Sequence, residues 1–252
     1  KKALVDLRIQ ADKYVIRGKD DIAVTTPFTP DTWTDVEMTW DATAATDSVA
    51  PQVTVSINGT AVTTDAFPSG SESLSDVMTG VRYVAFKLGD DGSTLPNAKY
   101  YIDDIKVYSD KAGSTVAFED DFEAFTAGDS LDDDNSSSVY HSNTAEAVVS
   151  EITKGGTAEP VDNQMPQITD NMDSDAGELR YKVDSDILAG KLTVSFKKSV
   201  AETAEGTAKD AYITLFGNST STKKALVDLR IQADKYVIRG KDDITVAETF
   251  TP

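Results

Sequence analysis

The 252-residue chain has no cysteine, one histidine and two tryptophans. Lack of cysteine removes disulfides, thiolate nucleophiles, Fe–S clusters and cysteine-type zinc sites together. The single histidine, His141, excludes a His-rich metal centre and gives any Ser-His-Asp triad only one base. No apolar run approaches the ~20 residues that a membrane-spanning helix needs. Positive charge is scarce as well: 24 Lys+Arg stand against 43 Asp+Glu, for a net charge of −19. That field repels phosphate backbones and anionic membrane surfaces, so neither nucleic-acid binding nor membrane insertion is expected. It favours solubility and attracts cations. The length is ample for burying a core without disulfides or zinc.

What the chain does contain is a duplication. Residues 1–30 and 223–252 are identical except at Ala23/Thr245, Thr25/Ala247, Thr26/Glu248 and Pro27/Thr249, with an offset of 222. Such a period is too long for a solenoid repeat and suits a whole domain. The chain therefore reads as one period of a tandem array plus an overlap, seen in permuted register. Residues 1–108 would be the C-terminal part of one repeat, 109–115 a small polar linker, and 116–252 the N-terminal part of the next. Near-identical sequences bury the same faces, so one sandwich has room for one copy. The surplus copy exposes an apolar face and an unpaired strand edge. One resolution is a head-to-tail array of identical repeats, completed by strand complementation. The other is a permuted sandwich that closes within one chain and leaves one copy frayed.

Alternation with period two dominates the pattern. Val5, Leu7 and Ile9 alternate with Asp6, Arg8 and Gln10, and the hairpin of Ala3–Arg17 recurs at Ala225–Arg239. Val36, Met38 and Trp40 form another apolar face. Val53, Val55 and Ile57 run into Asn58-Gly59, a strong hairpin signal because both residues tolerate positive φ. Val84 and Phe86, Tyr100–Tyr108, Leu192–Phe196 and Tyr212–Phe216 read as further strands. Helical signals are weak. Segments 129–138 and 154–177, rich in Asp, Ser, Asn and Gly, read as surface loops. The fold class is all-β, an antiparallel two-sheet sandwich or jelly roll.

Three stretches carry a family resemblance: Phe118-Glu-Asp-Asp-Phe-Glu123 followed by Gly128; Trp33-x-x-Val36-x-Met38-x-Trp40-Asp41 followed by Val53–Gly59; and Tyr100-Tyr-Ile-Asp-Asp-Ile-Lys-Val-Tyr108. With the permutation undone, their order resembles concanavalin A-like (LamG-type) jelly-roll repeats of bacterial secreted and surface proteins, related to carbohydrate-binding modules. The resemblance implies two antiparallel sheets, often a calcium ion, and frequent glycan binding or adhesion; the family also has catalytic branches, so fold does not settle function.

The acidic runs supply the candidate metal ligands. Calcium takes six to eight hard oxygens. The opening strand offers Glu119, Asp121 and Glu123 beside Asp120, and the closing strand offers Asp103 and Asp104. The resemblance makes these strands neighbours, so their carboxylates would repel unless a cation lay between them. Asp103 and Asp104 point to opposite faces, and the resemblance favours Asp103 with Glu123 or Asp121. The structural alternative is a solvated acidic edge that discourages strand-on-strand aggregation. Asp132-Asp133-Asp134-Asn135, Asp90-Asp91-Gly92 and the partial EF-hand spacing Asp173-x-Asp175-x-Gly177 read as solvated loops.

For ligand binding, the repeated hairpin presents Arg8 and Gln10 (with Arg17) on its polar face, where a row of donors can meet glycan hydroxyls or carboxylates or simply face solvent. Trp40 shares parity with the core. Trp33 has the opposite parity and opens its strand, which makes it a candidate sugar platform at a sheet rim. Glu119-x-Asp121-x-Glu123 also fits the carboxylate spacing of some jelly-roll glycoside hydrolases, but it lacks a neighbouring tryptophan. Gly177-Glu178-Leu179-Arg180 resembles an arginine motif of jelly-roll polysaccharide lyases, whose companion Gln-x-His and Tyr-x-Lys motifs are missing, and His141 sits among loop-like residues. The sequence thus reads as a non-catalytic structural and adhesive repeat of a large extracellular or cell-surface bacterial protein, with calcium as its cofactor. The alternative is a polysaccharide-binding module repeated for avidity, and a glycoside hydrolase ranks last.

Overall fold

The computed structural model describes residues 2–3, 5–9, 14–17, 22–24, 29, 31–46, 48–65, 67–68, 78–88, 99–131, 139–142, 147–152, 163–169, 177–199, 211–217, 225–231 and 236–238. Among these the regular structure is β-strand. In chain order the strands are β1 (Lys2–Ala3), β2 (Val5–Ile9), β3 (Tyr14–Arg17), β4 (Ile22–Val24), β5 (Thr34–Asp41), β6 (Gln52–Ile57), β7 (Thr60–Asp65), β8 (Phe67–Pro68), β9 (Val81–Leu88) and β10 (Lys99–Tyr108). There follow β11 (Val116–Asp120), β12 (Val139–Ser142), β13 (Ala147–Ile152), β14 (Asn163–Thr169), β15 (Gly177–Ile187), β16 (Ala189–Lys198), β17 (Ala211–Phe216), β18 (Ala225–Ile231) and β19 (Tyr236–Ile238).

Two antiparallel sheets face each other as a β-sandwich. The first runs β13-β14-β10-β16-β5-β6-β7, with β11 also on β10. The second contains β12-β15-β9 and the group β17-β2-β18-β19, with β17 packed along β9. Strands from both sides of residues 109–115 are interleaved in the first sheet: β16 lies between β10 and β5. Residues 109–115 themselves, linker-like in composition, form the hairpin loop between β10 and β11. The Asp110 carboxylate accepts from the backbone N–H of Ser114 and Thr115 (3.1 and 2.7 Å), and these donors hold its pKa below the usual carboxylate value.

The alternating residues meet in one core. Val36, Met38 and Trp40 of β5, Val53, Val55 and Ile57 of β6, and Leu192, Val194 and Phe196 of β16 face Val84 and Phe86 of β9, Tyr181 of β15, and Ile213 and Leu215 of β17. The Asn58-Gly59 hairpin forms as its residue types require, with φ of 47° and 83°. The sheets are tied where β15 becomes β16 with only Leu188 between them. At this crossing the Trp40 indole N–H donates to the Ile187 carbonyl at 2.8 Å. Gly190, paired opposite Trp40, has no room for a side chain: a Cβ would lie 2.6 Å from the indole ring and 2.5 Å from the Tyr108 carbonyl.

Candidate functional site

Strand β10 pairs with β16 along one flank, and on the other it changes partner. Tyr101 is its last residue paired with β14, and Ile105 is its first paired with β11. In the gap between those partners β10 bulges, the register against β16 shifting between Asp103 and Lys106. Asp104 takes a left-handed φ of 52° there, which Asp tolerates better than most residues. The bulge breaks the alternation, leaving Asp103 1% exposed and Asp104 exposed.

The Asp103 carboxylate accepts from the Asp104 backbone N–H at 2.8 Å and from the Asn163 side-chain amide at 2.6 Å. Opposite lies the end of β11. The strand stops at Asp120, whose carboxylate accepts from the Phe122 N–H at 2.8 Å. Phe122 then adopts a φ of 58° and inserts, fully buried, beside Tyr181 and Phe125. This turn carries Glu123 to β14, where it accepts from the Gln164 N–H at 3.0 Å. Burial pushes the Asp120 pKa up against the lowering effect of its Phe122 hydrogen bond, and the charges of Asp121 and Asp103 push it further. The junction thus crowds negative charge and holds a buried Gln164 side-chain oxygen with no hydrogen-bond partner. Carboxylate and amide oxygens are the donor types a hard cation takes. Among the described residues, however, no three carboxylates or imidazoles converge as a ready-made cage.

The sequence candidates are distributed as follows. Asp103, Asp120 and Glu123 border the junction. Asp121 is exposed and caps the Glu123 N–H at 3.3 Å. Glu119 points away and pairs with Lys106 at 3.3 Å, because the alternation that would align it with Asp121 and Glu123 ends with β11. Asn163 and Gln164 open a strand inside the stretch read as loop, and their spacing in sequence from Asp103 gave no signal of proximity. Arg8 lies on β2, paired with Tyr212; Gln10 lies outside the described residues. His141 lies in β12, opposite Leu179. Residues 132–135, 90–92 and 173–175 are outside the described residues.

Trp33 is half-buried just before β5. Lys197 lies over both its ring and that of Tyr101, at 5.8 and 5.1 Å. Further along the same outer face, an open cleft of about 380 Å³ crosses β10, β16, β5 and β6. Asp35, Glu37, Asp104, Lys106, Thr193 and Ser195 line it. Ser195 donates to Asp35 at 2.8 Å and Lys191 to Glu37 at 3.0 Å.

A second feature lies at β17. Strand β2 pairs antiparallel with it through Ile9, Arg8, Leu7 and Asp6, opposite Ala211, Tyr212, Ile213 and Thr214. Strand β18 pairs with the same four residues through Ile231, Arg230, Leu229 and Asp228. These are the equivalent positions of the duplication. The two copies also meet each other in parallel, Val5 beside Val227 and Asp6 beside Asp228. Among the described residues no helix is long and apolar enough to cross a membrane.

A family model described as a domain of unknown function, DUF8720, matches residues 12–150, more than half of the chain and continuous across the 109–115 hairpin. No curated protein matches the chain.

Proposed function

The chain belongs to the DUF8720 family, whose function is unknown, and we propose that it is a non-catalytic structural and adhesive module of a large extracellular or cell-surface bacterial protein. In this reading a jelly-roll repeat with a period of 222 residues assembles head to tail with identical repeats by strand complementation. The observation that carries it is the shared register of the two copies on β17. A segment present twice, each time paired with the same residues of β17, is what consecutive units need if a strand is to be passed between them. Sedimentation velocity from micromolar to millimolar protein tests the reading. Mass growing in multiples of 27.1 kDa supports it; a monomer across the range overturns it.

Calcium is the proposed structural cofactor, held at the junction of β10, β11 and β14. The residues that would hold it are Asp103, Asp120, Glu123 and the side-chain oxygen of Gln164. Bound there, the ion supplies charge neutralisation and fastens the start of one unit to the end of the other. Isothermal titration with calcium, and melting with and without chelator, test this; a melting temperature indifferent to chelation overturns it.

A second reading, a carbohydrate-binding module, is favoured by the outer cleft with Trp33 and Tyr101 beyond one end. Its fixed carboxylates and hydroxyls suit a neutral, hydroxyl-rich chain. Titration with neutral oligosaccharides decides it: saturable binding weakened by Trp33→Ala supports a glycan role, and no binding at millimolar ligand removes it.

A further inference from the structure

We infer that Tyr14 is a latch: seated in the core it holds β3 off β2, and released it lets β3 close on β2 as a hairpin. The inference goes beyond the repeat reading and does not depend on it. It starts from one sequence in two arrangements. Residues 1–22 and 223–244 are identical. In the second copy Tyr236, Val237 and Ile238 of β19 pair back, antiparallel, with Ile231, Arg230 and Leu229 of β18. The same residues of the first copy, Tyr14, Val15 and Ile16, are paired with Val24, Ala23 and Ile22 of β4. Among the described residues β3 makes no ladder pair with β2, although it lies beside it.

Identical residues have identical intrinsic preferences, so the surroundings select between the two arrangements. What the first copy shows is a seat for Tyr14. Thr34 opens β5, and Phe196 lies directly opposite it on β16; both are buried. The Tyr14 ring stands edge-on to Phe196 at 6.4 Å, and its hydroxyl donates to the Thr34 hydroxyl at 3.1 Å. Tyr14 is 0% exposed, and Phe196 is itself braced by Tyr100 at 5.9 Å. A buried tyrosine whose hydroxyl is satisfied is a strong anchor, and this one fastens the β3–β4 ribbon to the first sheet.

The alternative partner is in place. Asp6 of β2 pairs with Thr214 of β17 and with Asp228 of β18, so those two neighbours lie on opposite edges of β2. The pairing with β18 covers Val5 and Asp6. Among the described residues it leaves Leu7, Arg8 and Ile9 without a ladder partner on that edge. Their equivalents in the second copy, Leu229–Ile231, carry β19 on the corresponding edge. Release of Tyr14 gives up the seat and gains the three ladder pairs that its twin makes. The two positions therefore differ by the margin between seat and ladder, not by the whole of either. Released, the slot between Thr34 and Phe196 opens and the ribbon parts from the first sheet.

The chain lacks cysteine, so disulfide trapping on the full chain tests this without background. Directly opposite residues across an antiparallel pair place their Cβ atoms close to disulfide range. Arg230→Cys with Val237→Cys, opposite one another in the second copy, should close under mild oxidation. The equivalent first-copy pair, Arg8→Cys with Val15→Cys, should close slowly while Tyr14 is seated. Adding Thr34→Val, which removes the hydrogen bond to Tyr14, should speed that closure at least about fivefold. Adding Tyr14→Ala should speed it further, with native tryptophan fluorescence retained to show that the sandwich is folded. If Tyr14→Ala loses that fluorescence, Thr34→Val alone decides. First-copy closure equally fast with and without these changes overturns the latch. A first-copy pair that stays reduced in the released variants, while the second-copy pair closes, overturns the two positions. Failure of the second-copy pair overturns the hairpin from which the inference starts.

Discussion

Gly80 gives the sharpest test of how the two sheets are locked. It has a φ of +75°, and a Cβ there would overlap the Ile187 carbonyl and crowd the Leu188 Cα. Both obstacles are backbone, so no rotamer change relieves them. Gly59 is the internal control: its φ is +83°, and a Cβ added there would meet nothing within 4 Å. Gly59→Ala incurs only the left-handed strain, about 1–2 kcal/mol, offset by about 0.5 kcal/mol of lost unfolded-state freedom. Gly80→Ala incurs the same strain plus about 1–3 kcal/mol for the steric overlap. Pushing the Ile187 carbonyl also disturbs its hydrogen bond from Trp40, worth about 1 kcal/mol net. Gly80→Ala should therefore be less stable than Gly59→Ala by about 2–3 kcal/mol. With a urea m-value of about 2–3 kcal/mol/M, that is a midpoint lower by about 1 M. Equilibrium urea unfolding followed by tryptophan fluorescence measures it. Midpoints agreeing within about 0.2 M would mean that the crossing is not a rigid lock and would refute the reasoning.

Trp40→Phe keeps a ring in the core but strands the Ile187 carbonyl and leaves a void; a loss of about 1–3 kcal/mol is expected in the same urea assay. The Asp120 pKa is raised, so in chelator its penalty is absent at low pH, develops as pH rises through its folded pKa, and is complete above it. Asp120→Asn should consequently melt higher than the parent at pH 7 in chelator, converge with it below about pH 4, and lose the stabilisation by calcium; scanning calorimetry across pH reads all three. Asp41 has its pKa lowered to about 2, first by the Lys111 ammonium and then by Thr43. Its contribution to stability is therefore present above the unfolded carboxylate value of about 4 and lost as pH falls through the folded one. Lys111→Met should return the Asp41 carboxyl toward the ordinary range in a carbon-detected NMR titration.

The strands that were legible in the sequence are those whose pattern is local. Val36-x-Met38-x-Trp40 and Val53-x-Val55-x-Ile57 alternate cleanly because each has one face in the core and one in solvent, and Asn58-Gly59 carries its turn in its own residue types. The opaque features depend on distant partners. Asp103 is buried because β10 bulges between β11 and β14, and nothing in its neighbours' identities announces a bulge. Glu119-x-Asp121-x-Glu123 looks like one face of a strand, but the chain leaves the strand at Asp120 so that Phe122 can reach the core beside Tyr181. Residues 109–115 have the composition of a linker, yet Asp110 folds them into a hairpin through two backbone donors. Asn163 and Gln164 are brought to Asp103 and Glu123 only by the pairing of β14 with β10.

The acidic junction and the paired copies of the duplication sit on different sheets; in the proposed reading the first would stiffen a unit and the second would join it to the next. The junction of β10, β11 and β14 belongs to the first sheet. The pairing of β17 with β2 and β18 belongs to the second, where no acidic residue of the junction takes part. The sheets are joined covalently at Leu188 and noncovalently through the core, so neither feature depends on the other for its contacts. If calcium binds at the junction, its removal should loosen β11 and lower the melting temperature while leaving the pairing of β2 and β18 with β17 unchanged. Perturbing the β17 pairing should leave any calcium binding at the junction unchanged. Calcium binding that altered the amide-exchange protection of Ala211–Thr214 would show instead that the sheets are coupled through the core, with the Leu188 crossing as the path between them.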